Sequence, residues 1–307
     1  MRNLAVTALL TGMALFAAGS ELQGMPKYMP EERRSNTLQD DIILQVFVMC
    51  DSFLTLKFDT YNNLVMYVVS FFNGVNLILK QLQKPSVRLE VVMLQEARDG
   101  VSAAWQREVL VFEGGAINAG PTLNKLVNYT KHRPQYRSSD IIYLMAARKV
   151  HYWAANGKSR IKITNPPGWS ALGTVCKENK VAVGYDDGTY FTGIRNAARQ
   201  IARVNAPGDC FTRKYKKSYS DLTKKLPGEI VREDDFCKAE FPESSSGTCS
   251  TWSHLLGGRG KPEQCGLLCC TKQSWIGVDI RVREYPAFDG KDCGNDKVCI
   301  LGKCVKK

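Results

Sequence analysis

The chain of 307 residues carries 42 Lys plus Arg against 30 Asp plus Glu, a formal net charge of +12, with 44% apolar residues and 11 Cys. This composition supports one or two compact domains with a sizeable core and excludes a disordered or low-complexity chain. Arg2, the apolar run Leu4 to Ala18 and the small residues Gly19 and Ser20 form a secretory signal peptide over residues 1–19. The mature protein is therefore expected to be secreted, extracellular and oxidised. Leu64 to Leu79 is interrupted by Ser70, Asn73, Gly74 and Asn76, short of the roughly 18 to 20 uncharged residues of a membrane span, so no span is expected. Residues 20–39 are a short polar segment holding the dibasic pair Arg33 and Arg34, a processing-site remnant or an ordinary charged surface pair.

Asp41 to Cys50 follows as an apolar run of strand length, and Asn62 to Leu82 carries Val65, Val68, Val69, Phe72 and Leu79 at helical period. Val87 to Leu94 reads as a second strand, Leu123 to Tyr129 as helical and Ile141 to Ala146 as a third strand. After the breaker Pro166 and Pro167, Gly168 to Cys176 is an irregular or edge strand, and Val181 to Tyr185 ends in the turn Asp186, Asp187, Gly188. Thr192 is a plausible N-cap for a helix running to about Asn205, stopped by Pro207 and Gly208. Strands and helices alternate, which makes the first domain α/β. Asn128, Tyr129, Thr130 is the one N-x-[ST] sequon, and Asn128 is a glycosylation candidate.

Nine of the eleven cysteines lie between Cys210 and Cys304, and only Cys50 and Cys176 precede them. A large core-stabilised domain thus comes first and a small disulfide-stapled one second. An odd count leaves one thiol over. Cys50 shares a period-2 face with Val46 and Val48, so it is the candidate for a buried free thiol, and an intermolecular bridge is the alternative.

Four stretches carry a resemblance. Leu44 to Ser52 (LQVFVMCDS) with the helix ending in Phe72, Asn73, Gly74, Val75, Asn76 is one, and Gly168 to Cys176 (GWSALGTVC), continued by Val181 to Gly193, is another. Leu226 to Lys238 (LPGEIVREDDFCK) and Cys293 to Val305 (CGNDKVCILGKCV) complete the set. Together they resemble the reprolysin, adamalysin-type branch of the metzincin zinc proteases, especially the salivary metalloproteases of ticks. The resemblance implies a metzincin-like domain over 40–209, a mixed twisted sheet with long helices, then a basic linker over 210–232 and a cysteine-rich domain over 233–307. The long prodomain of active relatives is not expected.

That family's chemistry needs H-E-x-x-H-x-x-G-x-x-H, in which two His one helical turn apart and a third beyond a Gly turn hold zinc while the Glu polarises the metal-bound water. Aligned on Ala197 and Ala198, this chain has Arg199 and Arg203 at the first two ligand positions, Gln200 at the general base, Ala206 at the Gly and Asp209 at the third ligand. Arginine has no lone pair to give a cation, and Gln200 cannot act as a base. No Met follows Met145 to form the family's Met-turn. His132, His151 and His254 lack ligand-like spacing and are expected as surface or capping residues. Zinc is expected to be lost, and no other cofactor is implied. Arg195, Arg199 and Arg203 form an i, i+4, i+8 row whose repulsion calls for an acidic partner, with Asp209 as the first choice and a solvated basic face as the alternative.

The expected function is a secreted pseudoprotease that binds an extracellular host or partner protein, with Gly168, Ser170, Ala171, Gly173 and Cys176 as a cleft edge strand able to pair with an extended peptide. An active zinc endopeptidase with a displaced site is one alternative. A polyanion binder is the other: Arg213, Lys214, Lys216, Lys217, Lys224, Lys225 and Arg232 face only Asp221 and Glu229 in that stretch, so heparan sulfate or an acidic protein surface is the candidate ligand. Nucleic acid is not expected outside the cell. A solvated linker is the plain reading of the same lysines, and Arg259, Gly260, Lys261 reads as a loop.

Overall fold

The computed structural model of the protein describes residues 41–81, 86–156, 159–164, 168–170, 177, 179–204, 218–242, 246–252, 264–272 and 280–307. The expected signal peptide and the polar segment after it lie outside the described residues.

The first domain is built on β1 (Asp41–Cys50), the short α1 (Ser52–Thr55), α2 (Tyr61–Leu79), β2 (Ser86–Gln95), α3 (Ala104–Val109), β3 (Phe112–Glu113), β4 (Ala116–Asn118), α4 (Ala119–Lys131), β5 (Ile141–Ala146), β6 (Val150–Asn156), β7 (Ser159–Ile163), β8 (Gly168–Ser170), β9 (Val181–Tyr185) and α5 (Ile194–Val204). Five strands form the main sheet in the order β2-β1-β5-β9-β8. The first four run parallel, and β8 pairs antiparallel with β9 at the edge. Parallel strands need cover on both faces, and β1 shows how the sequence provides for it. Leu44, Val46, Val48 and Cys50 point into a core shared with α2 and α5, while Phe47 and Met49 point into a second core shared with α3 and α4. The result is a three-layer α/β arrangement with the sheet in the middle.

Among the described residues one helix, α2, is long and apolar enough by length and composition to cross a membrane. Here Leu64, Val68, Phe71, Phe72 and Val75 pack into the first core, and the helix starts at Thr60, whose side chain accepts from the Asn63 N–H at 3.2 Å. The expected helices and strands that fall on described residues agree with the structure to within a few residues, while of the expected edge strand Gly168 to Cys176 only Gly168–Ser170 is described, and one difference lies at α5. Thr192 does not cap it: the helix opens at Ile194, and the Thr192 hydroxyl accepts from the Asp187 N–H at 3.3 Å instead. A small sheet in the order β3-β4-β6-β7 lies beyond the main one and has no counterpart in the sequence reading, because two of its strands are only two and three residues long.

The second part comprises α6 (Glu233–Glu240), a three-stranded antiparallel sheet of β10 (Ser246–Thr248), β11 (Gly266–Lys272) and β12 (Ile280–Pro286), and a second one of β13 (Asp292–Gly294), β14 (Lys297–Ile300) and β15 (Lys303–Lys306). Disulfides join Cys237 to Cys269, Cys249 to Cys270, Cys265 to Cys299 and Cys293 to Cys304.

Residues 218–232, expected as the end of a basic linker, instead form a packed strap. The Ser218 hydroxyl donates to the Val91 carbonyl at 3.3 Å, the Val91 N–H donates to the Ser220 hydroxyl at 2.9 Å, and the Asn73 amide donates to the carbonyls of Thr223 and Lys225 at 3.2 and 3.1 Å. Pro227 closes against Gly74 of α2, where Ile194 of α5 also approaches. Hydroxyl and amide side chains hold the strap to the β2 edge and to α2, so the lysines between them stay at the surface without making the segment loose.

Candidate functional site

The helix that carries the candidate residues Arg199 and Gln200 is set in place by a buried carboxylate. Asp186, at the end of β9, is fully buried and accepts from the Tyr67 hydroxyl at 2.6 Å and from the backbone N–H groups of Gly188 and Gly193, each at 2.9 Å. Tyr67 stacks on Phe191 at 4.2 Å, and the Phe191 N–H donates to the Tyr67 hydroxyl. This clasp holds Phe191 at a φ of 56°, a left-handed conformation that bulky residues rarely adopt. Burial pushes the Asp186 carboxyl up to about 6, with the neighbouring Asp187 adding to the shift and the three donors opposing it. A side chain at Gly193 would run into the Tyr185 carbonyl, so the turn into α5 needs glycine there.

From this turn α5 lays Ala197, Ala198 and Ile201 into the first core and leaves Arg195 and Arg199 exposed. Gln200 points the other way: it is 1% exposed, and the Ser170 hydroxyl lies 2.9 Å from its carbonyl and 3.0 Å from its side-chain oxygen. The edge strand β8 thus sits directly on α5. Gly168 allows the close pairing of β8 with β9, since a Cβ there would come within 2.7 Å of the Val183 carbonyl. Gln200 is a tie between helix and strand with its amide facing inward. The donor set at these positions does not fit zinc: Arg199 and Arg203 have no lone pair to offer, and Gln200 is spent on Ser170. Asp209 and the remaining edge-strand candidates Ala171, Gly173 and Cys176 lie outside the described residues.

Asp209, the expected acidic partner of the arginine row, lies outside the described residues, but one member of the row feels a carboxylate elsewhere. Arg195 acts on Asp289 of the cysteine-rich part, whose carboxyl is raised by burial and pulled back by the Leu301 N–H and by the Arg195 charge.

His132 is exposed and caps the C-terminus of α4, as expected of a capping histidine. His151 corrects the expectation: it is fully buried, with Nε2 3.0 Å from Glu113 Oε2. The same oxygen accepts from Trp153 Nε1 at 2.8 Å and Asn118 Nδ2 at 2.9 Å, and the Trp153 bond is the main cause holding Glu113 below the usual carboxylate range. His151 and Trp153 share one face of β6, and that spacing, with Glu113 before the Gly114, Gly115 turn, was the available signal. His254 lies outside the described residues. Cys50 is a free, buried thiol, and burial pushes it up as its place among the β1 core residues requires.

Of the polyanion candidates, Lys224 and Lys225 are exposed on the strap. Lys224 Nζ lies 3.2 Å from Asp221 Oδ1 and donates to the Ser220 carbonyl at 2.9 Å. Arg213, Lys214, Lys216 and Lys217 lie outside the described residues. Asn128 is exposed on α4.

Among the described residues the one trio of His, Cys or carboxylate ligand atoms gathered within 4.8 Å is Cys265, Cys293 and Cys304, and all three are in disulfides.

Residues 227–305 match the family profile "ADAMTS cysteine-rich domain 2", beginning at 227 where the sequence reading put the cysteine-rich domain at 233. The C-terminal region of the chain is accordingly similar to an ADAMTS cysteine-rich domain, a disulfide-rich module of a kind suited to an oxidising extracellular compartment. A curated protein that is similar is a disintegrin and metalloproteinase with thrombospondin motifs 1 of Rattus norvegicus, 31% identical over 110 residues, which are 34% of this chain and 10% of that protein. The matched stretch is thus a tenth of its length. Two solved structures are similar at a lower level: metalloproteinase-II from Bacteroides fragilis (TM-score 0.30, 9% identity, 59% of this chain and 47% of that one) and a chain in a chaperone-substrate complex (TM-score 0.32, 10% identity, 53% and 24%).

Proposed function

We propose that the protein is a secreted, catalytically inactive relative of the reprolysin-type metzincin proteases, kept as a binding factor of the saliva or venom kind for an extracellular protein of its host or target. The observation that carries this reading is Gln200. At the position of the general base stands an amide that is buried and tied to Ser170, one residue from Arg199, which cannot be deprotonated to serve a metal. The outer edge of β8 has no strand partner among the described residues, and its main-chain groups suit an extended segment of a partner, since strand addition needs an open edge and no metal. Polyanion binding by the lysines before and within the strap is compatible with that role and is tested below.

The test is metal analysis of the purified chain together with digestion assays on unfolded protein substrates. No stoichiometric zinc and no cleavage are expected. One zinc per chain with chelator-sensitive cleavage overturns the reading in favour of an endopeptidase with a displaced site.

A further inference from the structure

The cysteine-rich region contains two kinds of disulfide. Cys237, Cys249, Cys269 and Cys270 are buried at 1% exposure or less, so the two bridges they form are sealed. In the other two bridges Cys265, Cys293 and Cys304 are half-buried, and their Sγ atoms all lie within 4.8 Å of one another. Being oxidised, these sulfurs offer no thiolate to a metal. They instead set one disulfide beside another, with Cys265 of the first next to both Cys293 and Cys304 of the second.

The fourth cysteine, itself 1% exposed, is placed by the backbone. Cys299 and Cys304 are directly opposed in the antiparallel β14–β15 ladder, and opposed residues in such a ladder have Cα separations of about 4.5 to 5.5 Å, inside the range a disulfide spans. A second pairing, Cys265 with Cys293 and Cys299 with Cys304, is therefore within reach of the same backbone. Access is also provided: Cys265 and Cys304 line an open pocket of about 670 Å³ together with Glu284, Tyr285 and Lys303.

We propose that these four cysteines are a thiol-responsive exchange site, at which a small thiol or a dithiol protein converts one disulfide pairing into the other. The incoming thiolate attacks Cys304 Sγ from the pocket, forms a mixed disulfide and releases the Cys293 thiolate. Cys293 attacks the adjacent Cys265 Sγ, forming Cys265–Cys293 and releasing the Cys299 thiolate. Cys299 attacks Cys304 Sγ across the hairpin, forms Cys299–Cys304 and expels the original thiolate. Two disulfides are present before and after, the thiol is recovered, and no oxidant is consumed. Lys303, next to Cys304, supplies positive charge that favours the approaching thiolate. The exchange transfers the anchor of β11 from β14 to β13 and closes the β14–β15 hairpin on itself, so the shape of the C-terminal end depends on the thiols around it.

The experiment treats the full chain with reduced glutathione at neutral pH, quenches with acid, alkylates and maps disulfide-linked peptides without reduction. Peptides joined through Cys265–Cys293 and Cys299–Cys304 are expected, forming at least about ten-fold faster than Cys237–Cys269 or Cys249–Cys270 is lost. Lys303→Glu should slow their formation several-fold while near-ultraviolet circular dichroism stays unchanged. Reduction to free thiols without the new pairs, or loss of all four disulfides together, overturns the proposal.

Discussion

In the first domain a five-stranded sheet is covered on both faces, and its two cores draw on every helix of that domain. In the cysteine-rich part the cores shrink to Phe236, Cys237, Phe241, Leu267 and Cys269 in one cluster and Cys249, Leu268 and Cys270 in another, and each cluster has a buried disulfide running through it. The contrast shows where each region keeps its stability. Apolar area scales with size, so a short segment that cannot gather enough of it substitutes a constraint on its unfolded state. The aromatic trio around Phe236, edge-to-face with Tyr190, Tyr285 and Phe288, adds to the smaller core and borrows Tyr190 from the first domain.

The largest effect that distinguishes the two regions is expected from Phe72→Ala. Phe72 is 1% exposed and edge-on to Tyr143 at 5.7 Å, so its loss should destabilise the first domain by about 3–5 kcal/mol, read as a shift in the denaturant midpoint. The cysteine-rich region should answer to the other lever. Replacing Cys237 and Cys269 together by Ala should cost about 2–5 kcal/mol and accelerate hydrogen exchange in α6 and β11, while the amides of β1 and β5 keep their protection. Equal loss of protection in both regions would show that they unfold as one unit.

A third prediction concerns pH. The folded-state value of Asp186 is raised to about 6 by burial, above the unfolded value near 3.9, so the stability tied to its protonated form is present below about pH 4 and is lost as pH rises through about 6. That window should carry roughly 2–3 kcal/mol. Unfolding followed from pH 4 to 7 should show it in the native chain, and Asp186→Asn should flatten it. Smaller again is Ser170→Ala, which leaves Gln200 without its buried partner and should cost about 1–2 kcal/mol, with a faster exchange of the β8 amides as the specific readout. The smallest effect is expected on a heparin column. Changing Lys214, Lys216, Lys217, Lys224 and Lys225 to Ser should make elution earlier, by an amount that vanishes as salt shortens the Debye length from about 10 Å at 0.1 M to about 3 Å at 1 M. Elution at the same salt as the native chain would reduce the lysines to solvated surface.

The parallel strands β1, β5 and β9 were legible because strands buried on both faces are continuous apolar runs, and α2 because its apolar residues recur at helical period. Cys50 was legible for a similar reason, since a single residue inside a buried strand takes the character of its face. What the sequence concealed was pairing at long range. Composition marked residues 218–232 as basic, yet the groups that dock them are Ser218, Ser220 and Asn73, polar residues that read as ordinary loop material until they meet an unpaired strand edge. His151 was misjudged in the same way, for its partner Glu113 lies in a strand too short to leave a periodic pattern. At the candidate site the identities of Arg199 and Gln200 were plain, but that Gln200 turns inward toward Ser170 required the fold.

The docking of the strap on β2 also bears on how the chain can be divided. β2 ends the main sheet, and a strand at the end of a sheet presents unpaired main-chain groups that invite a second molecule. At Val91 both groups are occupied by the hydroxyls of Ser218 and Ser220. A first domain cut off before Ser218 would uncover that position and leave Gly74 without Pro227 beside it. Such a fragment should self-associate through β2, whereas one carried on through Arg232 should remain monomeric, so the cleavage point that respects the molecule falls after the strap, at the threshold of α6.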